Sequence, residues 1–189
     1  SGAAVLCAQA AMRAGAGMVT LGIPKSLNNA IIKIKPKEVM TLSLPETARG
    51  ALSLAGYKKI RDFIKNIDVL VIGPGLGRDE STQALVRKLI ARKIRPTVID
   101  ADGLNAWVGH LKILLSTVDC RLSTILTPHP GEMARLLGVS VKKVQGSRKE
   151  IAIKFTKDYK VTLALKGHNT VVADYNGSLY VNKTGNPGM

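Results

Sequence analysis

The chain has 189 residues, of which 46% are hydrophobic and 22% are charged, as expected for one globular domain with a sizeable core. Its two cysteines argue against a disulfide framework and favour a reducing, cytoplasmic location, and no apolar run approaches the roughly 20 residues that a membrane-spanning helix needs. The net charge of +15 would suit nucleic-acid binding, but only 4% of the residues are aromatic and no nucleic-acid-binding motif occurs, so we expect a basic surface with no nucleic-acid or membrane partner.

Predicted helices and strands alternate along most of the chain, as periodicity and turn residues indicate. The predicted strands cover 18–23, 39–44, 68–72, 97–101, 123–127 and 161–166, and the predicted helices cover 3–14, 26–34, 52–66, 80–93, 103–108, 129–138 and 147–158. Two alternating runs then flank Asn176-Gly177, which predicts a type I′ hairpin. This order indicates an α/β fold, with a mostly parallel sheet covered by helices on both faces and the hairpin at one edge.

The strand at 68–72 runs directly into a glycine loop, Gly73-Pro74-Gly75-Leu76-Gly77. The loop does not match the dinucleotide-binding pattern G-x-G-x-x-G, because Arg78 stands where the third glycine belongs, and it is not a Walker A loop. Two explanations stay open. The glycines either make a tight turn from strand to helix, or they let the backbone approach a bound ligand closely, with the amides of residues 79–82 facing an anion.

Polar side chains stand at the ends of the next two predicted strands. Asp100, Asp102 and Asn105 follow one strand, and His129 and Glu132 follow the other. Ligands of parallel sheets bind beyond the carboxyl ends of the strands, so these residues are site candidates. Structural roles explain some of them, since Asp102 could be a helix N-cap and Glu132 could offset a helix dipole. His129 lies in a loop between two prolines, so we expect its replacement to change stability little, and we expect no metal site on this lone histidine.

The strand at 161–166 ends in Lys166-Gly167. A lysine at the carboxyl end of a strand, next to a glycine, suits a phosphate contact, although on its own a solvated edge lysine is the simpler explanation. The last segment contains Thr184, Gly185 and Gly188, in a loop rich in backbone amides of the kind that wraps anions.

Six motifs occur in the order found in one known family. They are AAMRAGAGMVT, VIGPGLG, VIDADGLN, LTPHPGEMARLLG, LKGHNTVVAD and TGNPGM. Together they resemble, nearly end to end, the ADP- or ATP-dependent NAD(P)H-hydrate dehydratases of the ribokinase-like superfamily. The resemblance implies a three-layer α/β/α ribokinase-like fold and repair of damaged nicotinamide cofactor. A phosphoryl group from the nucleotide turns the hydroxyl of NADHX or NADPHX into a leaving group, and elimination of phosphate restores NADH or NADPH.

The resemblance also implies two groups of binding residues and a cofactor. The hydrated dinucleotide would contact Ala3, Gly75, Gly77, Asp100, Asn105, His129 and Glu132. The adenine nucleotide would contact Lys166, Gly167, His168, Asn169, Thr170, Asn186, Pro187, Gly188 and Met189. Mg²⁺ would accompany the nucleotide, because phosphoryl transfer depends on positioning and charge neutralisation. A homo-oligomer, with a tetramer as its expected form, is implied as well.

The two ends of the sequence predict a single ribokinase-like domain, residues 1–189, that is incomplete at both ends. The chain begins within an element at Ser1-Gly2, and the family carries a glycine-rich segment with an aspartate, the expected catalytic base, after the position of Met189. We therefore expect no catalytic residue within residues 1–189. Two alternatives stay open, a small-molecule kinase of the same superfamily and a catalytically inactive nucleotide-binding domain. The choice between ADP and ATP as phosphoryl donor also stays open.

Overall fold

A six-stranded sheet forms the centre of the fold. The computed structural model describes residues 2–92, 95–113 and 124–185. Its strands are β1 (Thr20–Pro24), β2 (Met40–Leu44), β3 (Leu70–Ile72), β4 (Thr97–Ile99), β5 (Thr124–Leu126), β6 (Thr162–Leu165), β7 (Thr170–Ala173) and β8 (Leu179–Asn182). Strands β3 to β8 lie side by side in chain order. The first four are parallel, and β7 and β8 form an antiparallel hairpin at one edge. The predicted α/β class and the edge hairpin are confirmed.

The helices follow the predicted order, with one addition. They are α1 (Gly2–Arg13), α2 (Asn28–Ile34), α3 (Tyr57–Ile64), α4 (Glu80–Ile90), α5 (Asp102–Asn105), α6 (Pro130–Leu137), α7 (Val141–Gly146) and α8 (Arg148–Tyr159). The sequence analysis does not predict α7, although its N-cap Ser140 accepts a hydrogen bond from the amide of Lys143. None of the helices in the described ranges has the length and apolar character needed to span a bilayer.

Strands β1 and β2 form a separate parallel pair. Within the described residues this pair shares no ladder with the main sheet. Val5 of α1, Ile23 and Ile31 are buried together in a small cluster of their own, whereas Leu44 at the end of β2 belongs to the core of the main sheet. The pair therefore packs onto the rest of the fold chiefly through the end of β2.

The main sheet buries its two faces unequally. One face presents Ile72, Ile99, Leu126 and Leu163, which lie opposite one another in adjacent strands and are at most 9% exposed. The preceding residue of each strand points to the other face, where Val71 is 45% exposed. Because the parallel strands follow one another in one direction, right-handed crossovers place their connecting helices on the same face. In the described part of the chain, the second face of the sheet is therefore less fully covered than the first.

The loop between β7 and β8 is not the predicted type I′ turn. That turn needs a positive φ at both central residues, but of Asn176 and Gly177 only the glycine has one, at 93°. The carboxylate of Asp174 instead accepts hydrogen bonds from the amides of Asn176 and Ser178, at 2.9 and 3.0 Å. Because this side chain organises a longer loop, the type I′ prediction is wrong.

Candidate functional site

Four loops meet at the carboxyl edge of the main sheet. The glycine loop 73–77 follows β3, Asp100 follows β4, residues 127–129 follow β5, and Lys166 follows β6. Neighbouring parallel strands end at the same edge, and ligands of such sheets bind there. The fold therefore places residues predicted for the substrate and a residue predicted for the nucleotide on one edge.

An ion pair between Asp100 and Lys166 connects two of these loops. The Lys166 Nζ donates to the Asp100 Oδ1 at 2.7 Å, and the Lys166 amide donates to the Pro128 carbonyl at 2.9 Å. Partial burial raises the pKa of the Asp100 carboxyl, but hydrogen bonds from Lys166 and the Thr127 side chain outweigh it, so the pKa lies below its ordinary value. Asp100 is thus an ionised anchor for Lys166. Sequence reasoning missed Thr127, although its place directly after β5 is a signal that it lies at this edge.

Asp102 holds the glycine loop instead of capping a helix. Helix α5 begins at Asp102 itself, and the residue before it, Ala101, makes no side-chain cap. The Asp102 carboxylate accepts hydrogen bonds from the Gly77 amide and from the Asn105 side chain, both at 3.0 Å. The N-cap interpretation of Asp102 is therefore wrong, because its oxygens bond to the loop and to a side chain one turn along.

Asn105 extends this network to α6. Its Oδ1 accepts a hydrogen bond from the Arg135 Nε at 3.2 Å, while its Nδ2 is the donor to Asp102. Arg135, which the sequence analysis did not single out, therefore connects the helix after His129 to the glycine loop. Since both ends of the Asn105 amide are occupied, this side chain is placed to support the site through its neighbours.

The three glycines of the loop have different surroundings. All have positive φ, at 130° for Gly73, 73° for Gly75 and 75° for Gly77. A Cβ at Gly73 would lie 1.7 Å from the Asp100 carbonyl oxygen, so packing requires glycine there. A Cβ at Gly75 would lie 3.6 Å from Ala3, an ordinary contact, and one at Gly77 would meet nothing within 4 Å. Gly73 is thus explained by the turn, whereas Gly75 and Gly77 present exposed backbone, with Gly75 beside Ala3.

His129 and Glu132 form a capping box at the start of α6. The His129 Nδ1 accepts hydrogen bonds from the amides of Gly131 and Glu132, at 3.0 and 3.3 Å, and the Glu132 carboxylate accepts one from the His129 amide at 2.8 Å. Because Nδ1 accepts amide hydrogens, the ring hydrogen lies on Nε2, which is 3.5 Å from the Glu132 Oε1. The expectation that replacing His129 changes stability little loses its basis, because the side chain caps a helix. Glu132 is only 8% exposed and serves this cap, whereas the His129 side chain is 50% exposed.

The loop after β6 borders a cleft of about 810 Å³. Its lining residues are Gln145, Gly146, Arg148, Lys149, Glu150, His168, Asn169, Val171, Val181 and Lys183. Basic side chains outnumber acidic ones in this lining, which favours an anionic ligand. His168 and Asn169 belong to the predicted nucleotide loop, and the Thr170 hydroxyl closes that loop by donating to the Gly167 carbonyl at 2.9 Å. The other predicted nucleotide residues, Asn186, Pro187, Gly188 and Met189, lie outside the described residues.

The carboxylates of this region fit a metal ion that arrives with a ligand. Among the residues that the structure describes, no group of three or more His, Cys, Asp and Glu side chains could hold a metal ion. Mg²⁺ at nucleotide sites is commonly held by one or two carboxylates together with phosphate oxygens. Asp100 and Asp102 are carboxylates at this edge, and each has lone pairs beyond the hydrogen bonds that it accepts, which suits one ligand to an Mg²⁺ ion held largely by a nucleotide.

Comparisons with known proteins agree with the motifs. A family model described as NAD(P)H-hydrate dehydratase matches residues 1–189. The bifunctional NAD(P)H-hydrate repair enzyme Nnr of Moorella thermoacetica is 46% identical over 189 residues, which cover 100% of this chain and 35% of that protein. An ADP/ATP-dependent NAD(P)H-hydrate dehydratase from Bacillus subtilis, co-crystallised with ATP and Mg²⁺, is 30% identical with a TM-score of 0.72, over 98% of this chain and 60% of its own.

A more distant structure supports the fold alone. A ribokinase-like superfamily protein from Enterococcus faecalis is 22% identical with a TM-score of 0.73, over 100% of this chain and 60% of that one. The fold is therefore ribokinase-like, as predicted. The chain spans 35% of the length of the Moorella protein. Because the family model matches the whole of it, the chain belongs to the NAD(P)H-hydrate dehydratase family.

Proposed function

We propose that this protein repairs nicotinamide cofactors by nucleotide-dependent dehydration of NADHX and NADPHX to NADH and NADPH. The observation that carries the proposal is the 2.7 Å ion pair between Asp100 and Lys166. It joins the edge where the dinucleotide is expected to the loop where the nucleotide is expected. Transfer of a phosphoryl group between two bound molecules requires that they lie side by side. Family membership supports the chemistry, and this contact supports the proximity.

On the substrate side, the dinucleotide can approach the exposed backbone of the glycine loop and the Nε2 of His129. The exposed backbone of Gly75 and Gly77 admits a flat ring or a diphosphate close to the chain. A Cβ at Gly75 would lie 3.6 Å from the Ala3 methyl group, so a side chain there would occupy the space beside Ala3. The Nε2 of His129 lies 3.5 Å from the Glu132 Oε1, beyond an ordinary hydrogen-bond length, so its hydrogen is open to a substrate oxygen. Asn105 acts through Asp102, which holds the loop.

On the nucleotide side, charge neutralisation comes from Lys166 and the basic cleft. Lys166 is 41% exposed, and its ammonium has further hydrogens to donate to phosphate oxygens while it remains paired with Asp100. Mg²⁺, when bound with the nucleotide, neutralises the charge that develops on the transferred group. ADP and ATP share the parts that these residues would contact, so the proposal covers either donor. A homo-oligomer and a cytoplasmic location remain predictions.

Turnover by the full-length protein tests the proposal. NADHX is incubated with ADP or ATP, and the return of NADH fluorescence is followed, with samples that lack nucleotide as the control. Lys166→Met should lower kcat/KM for the nucleotide by about 10- to 100-fold, the effect of losing a charged phosphate contact. Lys154→Met is the matched control, because this lysine is 78% exposed and its one ion pair among the described residues is with Asp158 of its own helix. A phosphorylated hydrate that accumulates without NADH would instead support a kinase.

A further inference from the structure

Arg148, the first residue of α8, holds the nucleotide loop from behind. Its Nη2 donates to the carbonyl oxygens of Leu165 at 2.7 Å and of Lys166 at 3.1 Å. Its Nη1 donates to the carbonyl oxygen of His168. One planar side chain therefore engages three carbonyls of a single tight loop, a geometry that the fork of a guanidinium provides and an ammonium does not.

The guanidinium is packed closely against this loop. A Cβ at Gly167 would lie 3.4 Å from the Arg148 Nη2, and the φ of Gly167, +128°, is one that L side chains rarely adopt. The Arg148 Nε is buried and has no hydrogen-bond partner among the described residues. Burial lowers the pKa of the guanidinium. A cation that gives up water and one hydrogen bond destabilises the fold unless its other contacts compensate.

The direction of a carbonyl also decides the direction of the next amide hydrogen. In a trans peptide unit the C=O of one residue and the N–H of the following residue point in opposite directions, and the described residues contain no cis peptide bond. The unit between Leu165 and Lys166 shows this. Its carbonyl faces Arg148, and its N–H donates on the other side to the Pro128 carbonyl at 2.9 Å.

The same geometry applies to the next two contacts. Because the carbonyls of Lys166 and His168 face Arg148, the amide hydrogens of Gly167 and Asn169 face away from it. No acceptor for these two amides is found in the part of the chain that the structure describes. Backbone N–H groups fixed in a turn and left without acceptors form the kind of concavity that binds anions.

We propose that Arg148 is a positioning residue for the adenine nucleotide, fixing residues 165–168 so that the amide hydrogens of Gly167 and Asn169 point at its anionic oxygens. The inference rests on the proposed use of a nucleotide. Arg148 acts through the loop and not on the reacting atoms. The matching alternative is a direct charge effect, since Arg148 also lines the basic cleft. A lysine at position 148 would preserve a direct charge effect but would not hold the loop carbonyls as the guanidinium does.

Arg148→Lys in the full-length protein separates these effects, because lysine keeps the charge but loses the fork. We expect the Kd for ATP, measured by titration calorimetry, to rise by at least about ten-fold, the scale of a small misplacement of binding groups. The KM for NADHX should stay nearly unchanged. Lys154→Met removes a charge from the same helix and should leave the Kd for ATP as it is. In Arg148→Ala, millimolar guanidinium should restore part of the affinity, and urea should not.

Two results would overturn the inference. One is an unchanged Kd for ATP in Arg148→Lys, even with a lower Tm, since that is the signature of a purely structural contact. The other is an unaltered protein that binds neither ADP nor ATP. Failure of the proposed reaction is distinguishable from both, because a protein that binds ATP without dehydrating NADHX still allows the Kd comparison to decide. If Arg148→Ala does not fold, the lysine variant carries the test alone.

Discussion

Substitutions in the glycine loop 73–77 can distinguish glycines that the turn requires from glycines that a ligand requires. Gly77 and Gly73 both have positive φ, but a Cβ at Gly77 would meet nothing within 4 Å, whereas one at Gly73 would overlap the Asp100 carbonyl. Gly75 lies between these cases, with ordinary contact to Ala3. Alanine at each position therefore adds the same methyl group to three different surroundings.

The expected losses of stability follow from these surroundings. An alanine in the left-handed region costs about 1–2 kcal/mol, and the reduced entropy of its unfolded chain offsets about 0.4–1 kcal/mol. Gly77→Ala and Gly75→Ala should therefore lower the free energy of unfolding by about 1 kcal/mol each. Gly73→Ala should lower it by more than about 4 kcal/mol, because the backbone at Asp100, directly after β4, must move.

Urea denaturation and NADHX binding, measured on one preparation of each full-length variant, test this assignment. Gly75→Ala and Gly77→Ala should weaken NADHX binding by at least about ten-fold, since the methyl group stands where the ligand is expected. Their folded fraction stays close to complete at a loss of about 1 kcal/mol. If both variants bind NADHX as the unaltered protein does, the loop serves only as a turn and the substrate placement is refuted.

Three further outcomes are expected. Because its pKa is depressed, the Asp100 carboxylate stabilises the fold fully above its unfolded pKa and loses this contribution as pH falls through the folded pKa. In Asp100→Asn, the free energy of unfolding should therefore fall less steeply below about pH 4 than in the unaltered protein. The same dependence on pH in both proteins would contradict this. His129→Asn should keep the α6 cap and weaken NADHX binding, whereas His129→Ala should also lower the free energy of unfolding by about 1 kcal/mol; denaturation and hydrate kinetics of both variants check this. Mixed-sequence DNA should bind weakly and lose affinity steeply with salt, and salt-resistant binding to one sequence would refute surface basicity as the origin of the +15 charge.

Local sequence signals predicted the elements that depend on local chemistry. The strands, the major helices and the edge hairpin follow from the spacing of apolar residues and from glycine and proline at the ends of elements. The capping of α4 by Asp79 is local too, since its carboxylate accepts a hydrogen bond from the Ser81 amide at 3.0 Å. The hairpin turn failed because an Asn-Gly pair fixes a type I′ turn only when no competing side chain, here Asp174, organises a longer loop.

Contacts between segments that lie far apart in the chain could not be predicted from the sequence. Arg148 lies 17 to 20 residues from the carbonyls it binds, and by its neighbours in the chain it resembles any other basic residue at a helix start. Asp102 was misassigned for the same reason, since its bond to Gly77 spans 25 residues. The motifs assigned Asp100 to the dinucleotide and Lys166 to the nucleotide. In the structure the two side chains form a hydrogen-bonded ion pair.

The stoichiometry of turnover is the most direct measurement of the proposed reaction. The full-length protein is supplied with NADHX, ATP and Mg²⁺, and NADH, ADP and inorganic phosphate are quantified together. Since the hydroxyl oxygen of the hydrate leaves with the transferred phosphoryl group, each NADH recovered should be matched by one ADP and one inorganic phosphate. Recovery of NADH without nucleotide consumption, or ADP formation matched by a phosphorylated hydrate instead of NADH, would contradict the proposal.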